Sequence, residues 1–258
     1  MLRQIPNLFT LINLIFGCLA VIFTLQVNDS IVYLEGDQLM MRMPENMMLA
    51  ALFIYAAAVV DFLDGFVARW LNASSDMGKQ LDSLSDAVSF GVAPSLIVYQ
   101  LLRLSYLQKS ASLDTSILLL LPALIIACCA VWRLAKFNID QRQSVSFRGV
   151  PTPITGLMLA SLPMILWFDT ATTENIILNI WVLYGLILLA GYLMVSDLPM
   201  MSFKIAKGNT KQYLPQIILL SVSLISIIIL RWAAVPVIYI LYVTLSLLFR
   251  NKILSFKS

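Results

Sequence analysis

The chain has 258 residues and a formal net charge of +3, with 60% hydrophobic and only 12% charged residues. A soluble domain carries roughly 25% charged residues on its water-facing surface, so this composition excludes a soluble globular protein and a disordered one. The chain contains no histidine, which excludes His-ligated metal sites and histidine-based acid–base catalysis. Because no dense basic run is present, we expect no nucleic-acid partner.

Eight apolar segments are long enough to cross a bilayer, which requires about 20 mostly apolar residues per helix. They lie at about 7–27, 48–69, 83–103, 116–137, 150–168, 175–196, 213–231 and 233–250. None shows the period-two alternation of a barrel strand, so we predict an all-α polytopic membrane protein with a single membrane domain over 1–258. Arg3 before the first run resembles a signal peptide. The run continues past Cys18 to a spanning length, so we expect a retained helix.

The placement of basic residues predicts how these helices are oriented. If the N-terminus is cytoplasmic and eight helices alternate, four of the 17 lysines and arginines fall on the far side of the membrane. They are Arg42, Arg103, Lys109 and Arg231. All other basic residues fall on the cytoplasmic side, as the positive-inside rule requires. We therefore expect both termini in the cytoplasm, with an acidic connection at about 28–47 outside it.

Four aspartates mark the place where we expect the chemistry. Asp61 and Asp64 end the second segment, and Asp82 and Asp86 begin the third, both on the predicted cytoplasmic side. Spacings of i,i+3 and i,i+4 place each pair on one helix face, and a short link between antiparallel helices directs all four side chains to one point. A carboxylate at the centre of a membrane helix costs about 2.5–3.5 kcal/mol, so a cluster of them indicates function.

The cluster requires neutralising charge. Two carboxylates 4 Å apart repel by about 4 kcal/mol at an effective dielectric constant near 20. Oxygen-only ligands favour a hard divalent cation such as Mg²⁺ or Mn²⁺, and two bridged ions are typical of phosphoryl chemistry. An acid–base network with Arg69 and Lys79, or a proton or cation pathway, would also explain the acids. Gly65 and Ala68 leave room on the same face for a ligand or for close helix packing, and Arg69 offers a guanidinium to a phosphate.

These residues form the pattern Asp61-x2-Asp64-Gly65-x2-Ala68-Arg69-x8-Gly78-x3-Asp82-x3-Asp86. The pattern at 61–86 resembles the signature of the CDP-alcohol phosphotransferase family, with all eight specified positions filled. The resemblance implies a six-helix catalytic core over 5–204, followed by two additional helices at 213–250. It also implies a two-metal site at the cytoplasmic face, where an acceptor hydroxyl displaces CMP from a CDP-linked lipid or alcohol.

Further stretches resemble one subfamily, the bacterial-type (class II) phosphatidylserine synthases. They lie at 5–10, 81–94, 133–138, 149–153 and 202–204. This resemblance implies that CDP-diacylglycerol is the donor and L-serine the acceptor, with phosphatidylserine and CMP as products. It further implies location in the cell (cytoplasmic) membrane among lipids, and a homodimer.

The resemblance also assigns a role to individual side chains. The implied ligands of two Mg²⁺ or Mn²⁺ ions are Asp61, Asp64, Asp82 and Asp86. Asp86 would in addition take the proton of the acceptor hydroxyl. The implied contacts to the CDP moiety are Gly65, Arg69, Ser75 and, from the first helix, Asn7 and Thr10. In the link, Asn72 and Ser74 are further hydrogen-bonding side chains near the nucleotide.

Serine carries a carboxylate, which calls for a cation in the acceptor site. Arg133 and Arg148 lie at the predicted cytoplasmic ends of the fourth and fifth segments, where either can supply a bidentate guanidinium. Both would also serve as topology anchors or lipid-headgroup contacts. Three other functions stay open at this point. They are a sister enzyme that uses glycerol-3-phosphate or inositol, a cation or proton transporter, and an inactive scaffold.

Overall fold

The computed structural model describes residues 5–26, 32–35, 38–41, 44–71, 75–109, 115–139, 147–168, 170–201 and 214–249. Its α-helices are α1 Ile5–Leu25, α2 Glu45–Trp70, α3 Asp76–Asp86, α4 Ala93–Lys109, α5 Ile117–Leu120, α6 Leu124–Ile139, α7 Thr152–Phe168, α8 Thr170–Ile177, α9 Ile180–Val195, α10 Leu214–Leu230 and α11 Ala234–Leu248. Its strands are β1 Val32–Glu35, β2 Gln38–Met41, β3 Phe147–Arg148 and β4 Pro199–Met200. The remaining helical segments are a π-helix at Ala87–Val92 and 3₁₀ turns at Leu121–Ala123 and Arg231–Ala233.

Every predicted apolar segment contains a helix. Five helical stretches are long and apolar enough to cross a membrane, namely Ile5–Leu25, Glu45–Trp70, Asp76–Gln108, Ile117–Ile139 and Pro215–Leu248. The last of these contains two predicted segments, α10 and α11, which pack against each other across a turn where Arg231 has φ +49°. The apolar helices α7 and α9 are shorter, with 17 and 16 residues. The helical fold class is confirmed, whereas the number of eight crossings stays a prediction.

Helix α7 lies at the centre of the bundle. Every residue from Met158 to Leu166 is buried, and the helix packs against α2, α4 and α11. A helix that is apolar on all sides is stable only where neighbours or lipid cover it, and here protein does so. The close approach requires a glycine, because a Cβ atom at Gly156 would lie 3.0 Å from the backbone of Phe90 in the π-helix. Helix α7, although short, is therefore stabilised by burial among longer helices.

The outer faces of the bundle are apolar. Trp70, Trp181 and Leu248 are among the most exposed large side chains of the part of the chain that the structure describes. A continuous apolar surface of this kind is unstable in water and is typical of helices that contact lipid.

Helix α1 packs along α3 and the π-helix through small and polar residues. The hydroxyl of Ser85 donates to the backbone oxygen of Thr10 at 3.0 Å, and that of Ser89 donates to the backbone oxygen of Asn13 at 3.1 Å. A Cβ atom at Gly17 would lie 2.9 Å from the Cα atom of Ser89. These contacts hold one face of α1 directly against the helix that carries Asp82 and Asp86.

Two short sheets differ from the purely helical prediction. The expected connection at about 28–47 contains the antiparallel pair β1–β2, in which Val32 is opposite Met41 and Glu35 is opposite Gln38. Residues of high strand propensity in β1, such as Val32 and Tyr33, favour this pairing. Strand β3 pairs with β4, so that Arg148 is opposite Pro199. This second pair connects the segment before α7 to the segment after α9.

Replacing Gly17 by alanine is expected to destabilise the protein by about 1–3 kcal/mol, because the new methyl group overlaps the backbone of the π-helix. The matched control is Gly185→Ala in α9, where no atom lies within 4 Å of the Cβ position. That substitution is expected to be neutral or stabilising, since alanine is the better helix former by about 1 kcal/mol. The stability of both variants is measured by thermal unfolding in detergent. Equal unfolding temperatures for the two variants would contradict the close packing of α1 on the π-helix.

Candidate active site

The four predicted aspartates converge where α2 ends and α3 runs toward the π-helix. One carboxylate oxygen each from Asp61, Asp64 and Asp82 lie within 4.8 Å of one another. The side chain of Asp86 interacts with that of Asp61, and all four aspartates line one cavity, described below. Asp64 and Asp86 are buried, whereas Asp61 and Asp82 are partly buried. The predicted convergence of these side chains is therefore present in the structure.

Helix α1 supplies a hydrogen-bond donor to each of the two buried aspartates. The hydroxyl of Thr10 donates to Oδ2 of Asp64 at 2.9 Å, and Nδ2 of Asn13 donates to Oδ1 of Asp86 at 3.3 Å. A donor on one oxygen fixes the orientation of the carboxylate and leaves its second oxygen for another partner.

Asn13 was not among the residues singled out from the sequence. It is fully buried, and its Oδ1 atom has no hydrogen-bond partner in the described part of the chain. The signal that could have identified it is spacing, because Asn7, Thr10 and Asn13 recur at intervals of three in an otherwise apolar helix.

The π-helix was also not predicted. Asp86 is the last residue of α3, and the π-helix Ala87–Val92 follows immediately. Single π-turns inside α-helices occur frequently at functional sites, because the extra residue changes the direction of the side chains before it relative to those after it. Gly91 lies in this turn, where an added Cβ atom would come within 3.0 Å of the Cβ atom of Ala130 in α6.

A small cavity of about 130 Å³ lies on one side of the aspartates. Its lining includes four of the five predicted CDP contacts, namely Asn7, Thr10, Gly65 and Ser75. No atom lies within 4 Å of the Cβ position of Gly65, so the space above this residue is open. Ser75 also has a structural role as the N-cap of α3, where its hydroxyl accepts a hydrogen bond from the backbone nitrogen of Gly78 at 3.0 Å.

A larger cavity of about 640 Å³ lies next to the small one. All four aspartates line it, together with the basic side chains of Arg69, Lys79 and Arg133. The two cavities share part of their lining, including Asp64 and Asp82. Acids beside cations suit a ligand that is itself anionic and is held partly through metal ions.

Arg133 is a buried cation that shares the lining of the larger cavity with Asp86. Its side chain is 7% exposed, and its Nη1 atom donates to the hydroxyl of Thr152 at 3.1 Å. Its Nε atom has no hydrogen-bond partner, and no ion pair to Arg133 occurs among the described residues. A buried guanidinium with unsatisfied donors is costly, so this arrangement favours an anionic ligand in the cavity.

Arg148, the other predicted serine contact, lies outside the lining of both cavities. Its Nη1 atom is 3.9 Å from Oδ1 of Asp197, and Nζ of Lys136 is 2.7 Å from the same oxygen. Two of the residues predicted near the nucleotide, Asn72 and Ser74, lie outside the described residues, as does the motif at 202–204.

A model of the CDP-alcohol phosphatidyltransferase family matches residues 3–196. The chain belongs to the CDP-alcohol phosphatidyltransferase family. It is 36% identical over 203 residues to the CDP-diacylglycerol–serine O-phosphatidyltransferase of Bacillus subtilis. The aligned region covers 79% of this chain and 93% of that protein. A protein of the same name from Helicobacter pylori is 33% identical over 221 residues, or 84% of this chain and 79% of its own length. The archaetidylserine synthase of Methanothermobacter thermautotrophicus is 30% identical over 136 residues, or 52% and 54% of the two chains.

Membership of the CDP-alcohol phosphatidyltransferase family confirms the resemblance read from the aspartate signature. Together with its apolar helices, it makes the chain a multi-pass membrane protein. The family is generally dependent on divalent cations, and the cluster of Asp61, Asp64 and Asp82 provides the oxygen ligands that such a cation needs. The matched residues end before α10 and α11, so these two helices lie outside the family match.

Mg²⁺ or Mn²⁺ is expected to raise the thermal unfolding temperature, because an ion that binds only the folded state stabilises it by about 2.7 kcal/mol at 100 times its dissociation constant. Asp82→Asn is expected to lose most of this effect. The control is Asp76→Asn on the same helix, since the Asp76 side chain is fully exposed and pairs only with Lys79 among the described residues. A metal-induced shift in Asp82→Asn as large as in the unmodified protein would contradict the metal site.

Proposed function

We propose that this protein transfers the phosphatidyl group of CDP-diacylglycerol to the hydroxyl of L-serine and releases CMP. The observation that carries the proposal is the convergence of Asp61, Asp64 and Asp82, all members of the family signature, on one cluster beside two cavities. The choice of donor and acceptor rests on the names of relatives that are 33–36% identical over most of both chains. The protein is thus a CDP-diacylglycerol–serine O-phosphatidyltransferase.

The CDP moiety of the donor binds in the small cavity. Open space above Gly65 allows a diphosphate to approach the backbone of α2, where any larger side chain would fill that space. The residues that contact the CDP moiety are Asn7, Thr10, Gly65, Arg69 and Ser75. Arg69 lines the adjoining larger cavity, so its guanidinium is available to a phosphate oxygen between the two.

The aspartates hold two divalent cations, Mg²⁺ or Mn²⁺. The ligands are Asp61, Asp64, Asp82 and Asp86. Bound ions supply electrostatic stabilisation of the negative charge on the diphosphate and on the departing CMP. An all-carboxylate set without histidine or cysteine fits hard cations of this type.

Asp86 also accepts the proton of the serine hydroxyl. The serine oxygen forms a new bond to the phosphorus of the phosphatidyl group, while the bond from that phosphorus to the CMP oxygen breaks. Because a carboxylate is a weak base, its proton transfer is concerted with the attack. The hydrogen bond from Asn13 orients Asp86 through one oxygen, and the remaining lone pairs of the carboxylate would serve both a cation and this proton.

Arg133 binds the carboxylate of serine in the larger cavity. It is buried, it lines the same cavity as Asp86, and its Nε donor is unsatisfied. A bidentate guanidinium–carboxylate pair also orients the hydroxyl group of serine. Arg148 is the second candidate for this role. It is more exposed, lies 3.9 Å from Asp197 and is outside the lining of the cavity, so its contribution to serine binding is expected to be the smaller one.

The membrane placement follows from charge. With the signature at the cytoplasmic face and both termini in the cytoplasm, most basic residues lie on the side that the positive-inside rule requires. The membrane is the cytoplasmic membrane of the cell, and the protein forms a homodimer there, as the subfamily resemblance implies. The 5–204 core contains the catalytic residues, and 213–250 adds two helices.

Purified protein supplied with CDP-diacylglycerol, L-serine and Mg²⁺ or Mn²⁺ is expected to release CMP and form phosphatidylserine. EDTA is expected to abolish the reaction, and excess metal to restore it. Asp86→Asn is expected to lower kcat by about 10²–10⁴-fold, the usual contribution of a general base.

Asp76→Asn is the control and is expected to retain activity, because this residue lies in the exposed first turn of α3. Product formation with glycerol-3-phosphate or inositol, but not with serine, would contradict the acceptor. Cation flux in vesicles without CMP release would contradict the reaction class as a whole.

Arg133→Gln is expected to raise the KM for L-serine by about tenfold to a hundredfold, since hydrogen bonds to charged groups contribute about 1.5–3 kcal/mol. The KM for CDP-diacylglycerol is expected to change little. Arg148→Gln, which removes the same charge outside the cavity, is expected to have the smaller effect on serine. The reverse order of the two variants would reassign the serine carboxylate to Arg148.

A further inference from the structure

Two uncharged polar side chains, Ser83 of α3 and Asn138 of α6, contact each other in the lining of the larger cavity. Nδ2 of Asn138 lies 2.9 Å from the hydroxyl oxygen of Ser83, and the same hydroxyl lies 3.2 Å from Oδ1 of Asn138. The other polar side chains of the described lining are the four aspartates and three cations. The pair therefore connects α3 to α6 and is the uncharged part of an otherwise charged surface.

The Ser83–Asn138 pair retains acceptors for a ligand. A hydroxyl oxygen and an amide oxygen each have two lone pairs. The contact within the pair uses at most one lone pair on each oxygen, and neither side chain forms another hydrogen bond among the described residues. The pair can therefore accept hydrogen bonds from a group that carries several donors.

Asn138 lies on the same face of α6 as Arg133, and both line the cavity. Five residues along a helix correspond to about 7.5 Å. Two hydrogen bonds of about 2.9 Å each, joined through the α-carbon of an amino acid, cover a similar distance. Arg133 is buried and Asn138 is exposed, so the guanidinium lies deeper than the amide. An amino acid whose carboxylate binds Arg133 can thus direct its ammonium group toward Asn138.

An ammonium group has three donors and no acceptor, so it requires oxygen atoms that other cations do not occupy. In the proposed reaction the aspartates hold divalent cations. Among the described residues that line the cavity, this leaves Ser83 and Asn138 as the acceptors. A hydrogen bond from an ionised donor is roughly twice as strong as one between neutral groups, so the pair favours an acceptor that carries an ammonium group.

We infer that Asn138 and Ser83 bind the α-ammonium group of the acceptor and thereby select an amino acid over an alcohol phosphate. The inference rests on the proposed function, in which Arg133 binds the serine carboxylate. It assigns the two charges of serine to two positions on one face of α6, and it places the selecting residues away from the aspartates.

The test compares L-serine with 3-hydroxypropionate, which is serine without its amino group. Asn138→Ala is expected to raise the KM for L-serine about tenfold, the effect of one lost hydrogen bond to a charged group. The inhibition constant of 3-hydroxypropionate against serine and the KM for CDP-diacylglycerol are expected to stay within about twofold. The control is Gln80→Ala, which removes an exposed amide of α3 outside both cavities and is expected to change none of these constants.

Two further variants separate ammonium binding from packing. Asn138→Asp keeps an acceptor oxygen and adds a negative charge, so its KM for L-serine is expected to be no higher than that of the unmodified protein. Ser83→Ala is expected to raise the same KM severalfold and to leave inhibition by 3-hydroxypropionate unchanged. Thermal unfolding in detergent verifies that each variant is folded.

An equal loss of affinity for serine and for 3-hydroxypropionate in Asn138→Ala overturns the inference, because the amino group is then not what Asn138 recognises. So does a KM for serine that rises as much in Asn138→Asp as in Asn138→Ala. An unchanged KM for serine in Asn138→Ala and Ser83→Ala, with normal kinetics of the unmodified protein, overturns the inference and leaves the proposed function standing. Absence of serine-dependent CMP release from the unmodified protein overturns both.

Discussion

Four carboxylates held a few ångströms apart inside an apolar helix bundle repel one another, and the surrounding structure depends on keeping them there. Helix α1 stabilises the two buried aspartates by hydrogen bonds. Thr10 donates one to Asp64, and Asn13 donates one to Asp86. The hydroxyls of Ser85 and Ser89 bind the backbone of α1 in turn, so the acid-bearing helix and its donors form one polar layer. Close packing at Gly17 keeps the two helices near enough for these bonds.

The two cavities lie on different sides of this polar layer. The small cavity adjoins α1 and the N-terminus of α3, whereas the larger one is bounded by α6 and by the segment before α7. A donor held through its diphosphate and an acceptor held through its carboxylate would thus approach the aspartates from different sides, as an in-line displacement requires. Arg69 and Arg133, which both line the larger cavity, would bind the anionic groups of such substrates beside the acidic centre.

Much of this arrangement follows from the sequence alone, because helix periodicity is local. Spacings of three and four residues fix which aspartates share a face, and the length of the link fixes that α2 and α3 meet. Contacts between distant residues are not encoded in this way. The pairing of Arg148 with Asp197 and the burial of Asn13 against Asp86 depend on how segments far apart in the chain pack. The β1–β2 hairpin was missed because strand propensity over four residues is weak beside eight strong apolar runs.

The π-turn after Asp86 has a consequence for how the protein tolerates changes in chain length. Its hydrogen-bonded ring holds one residue more than an α-turn, so the aspartate face of α3 is set one position out of step with α4. A single-residue deletion within 87–92 would convert this turn into a regular α-turn and change which of its side chains face α1, α6 and α7. Length variation between homologues should therefore be absent from this turn, as it should be from the eight-residue gap between Arg69 and Gly78 in the signature.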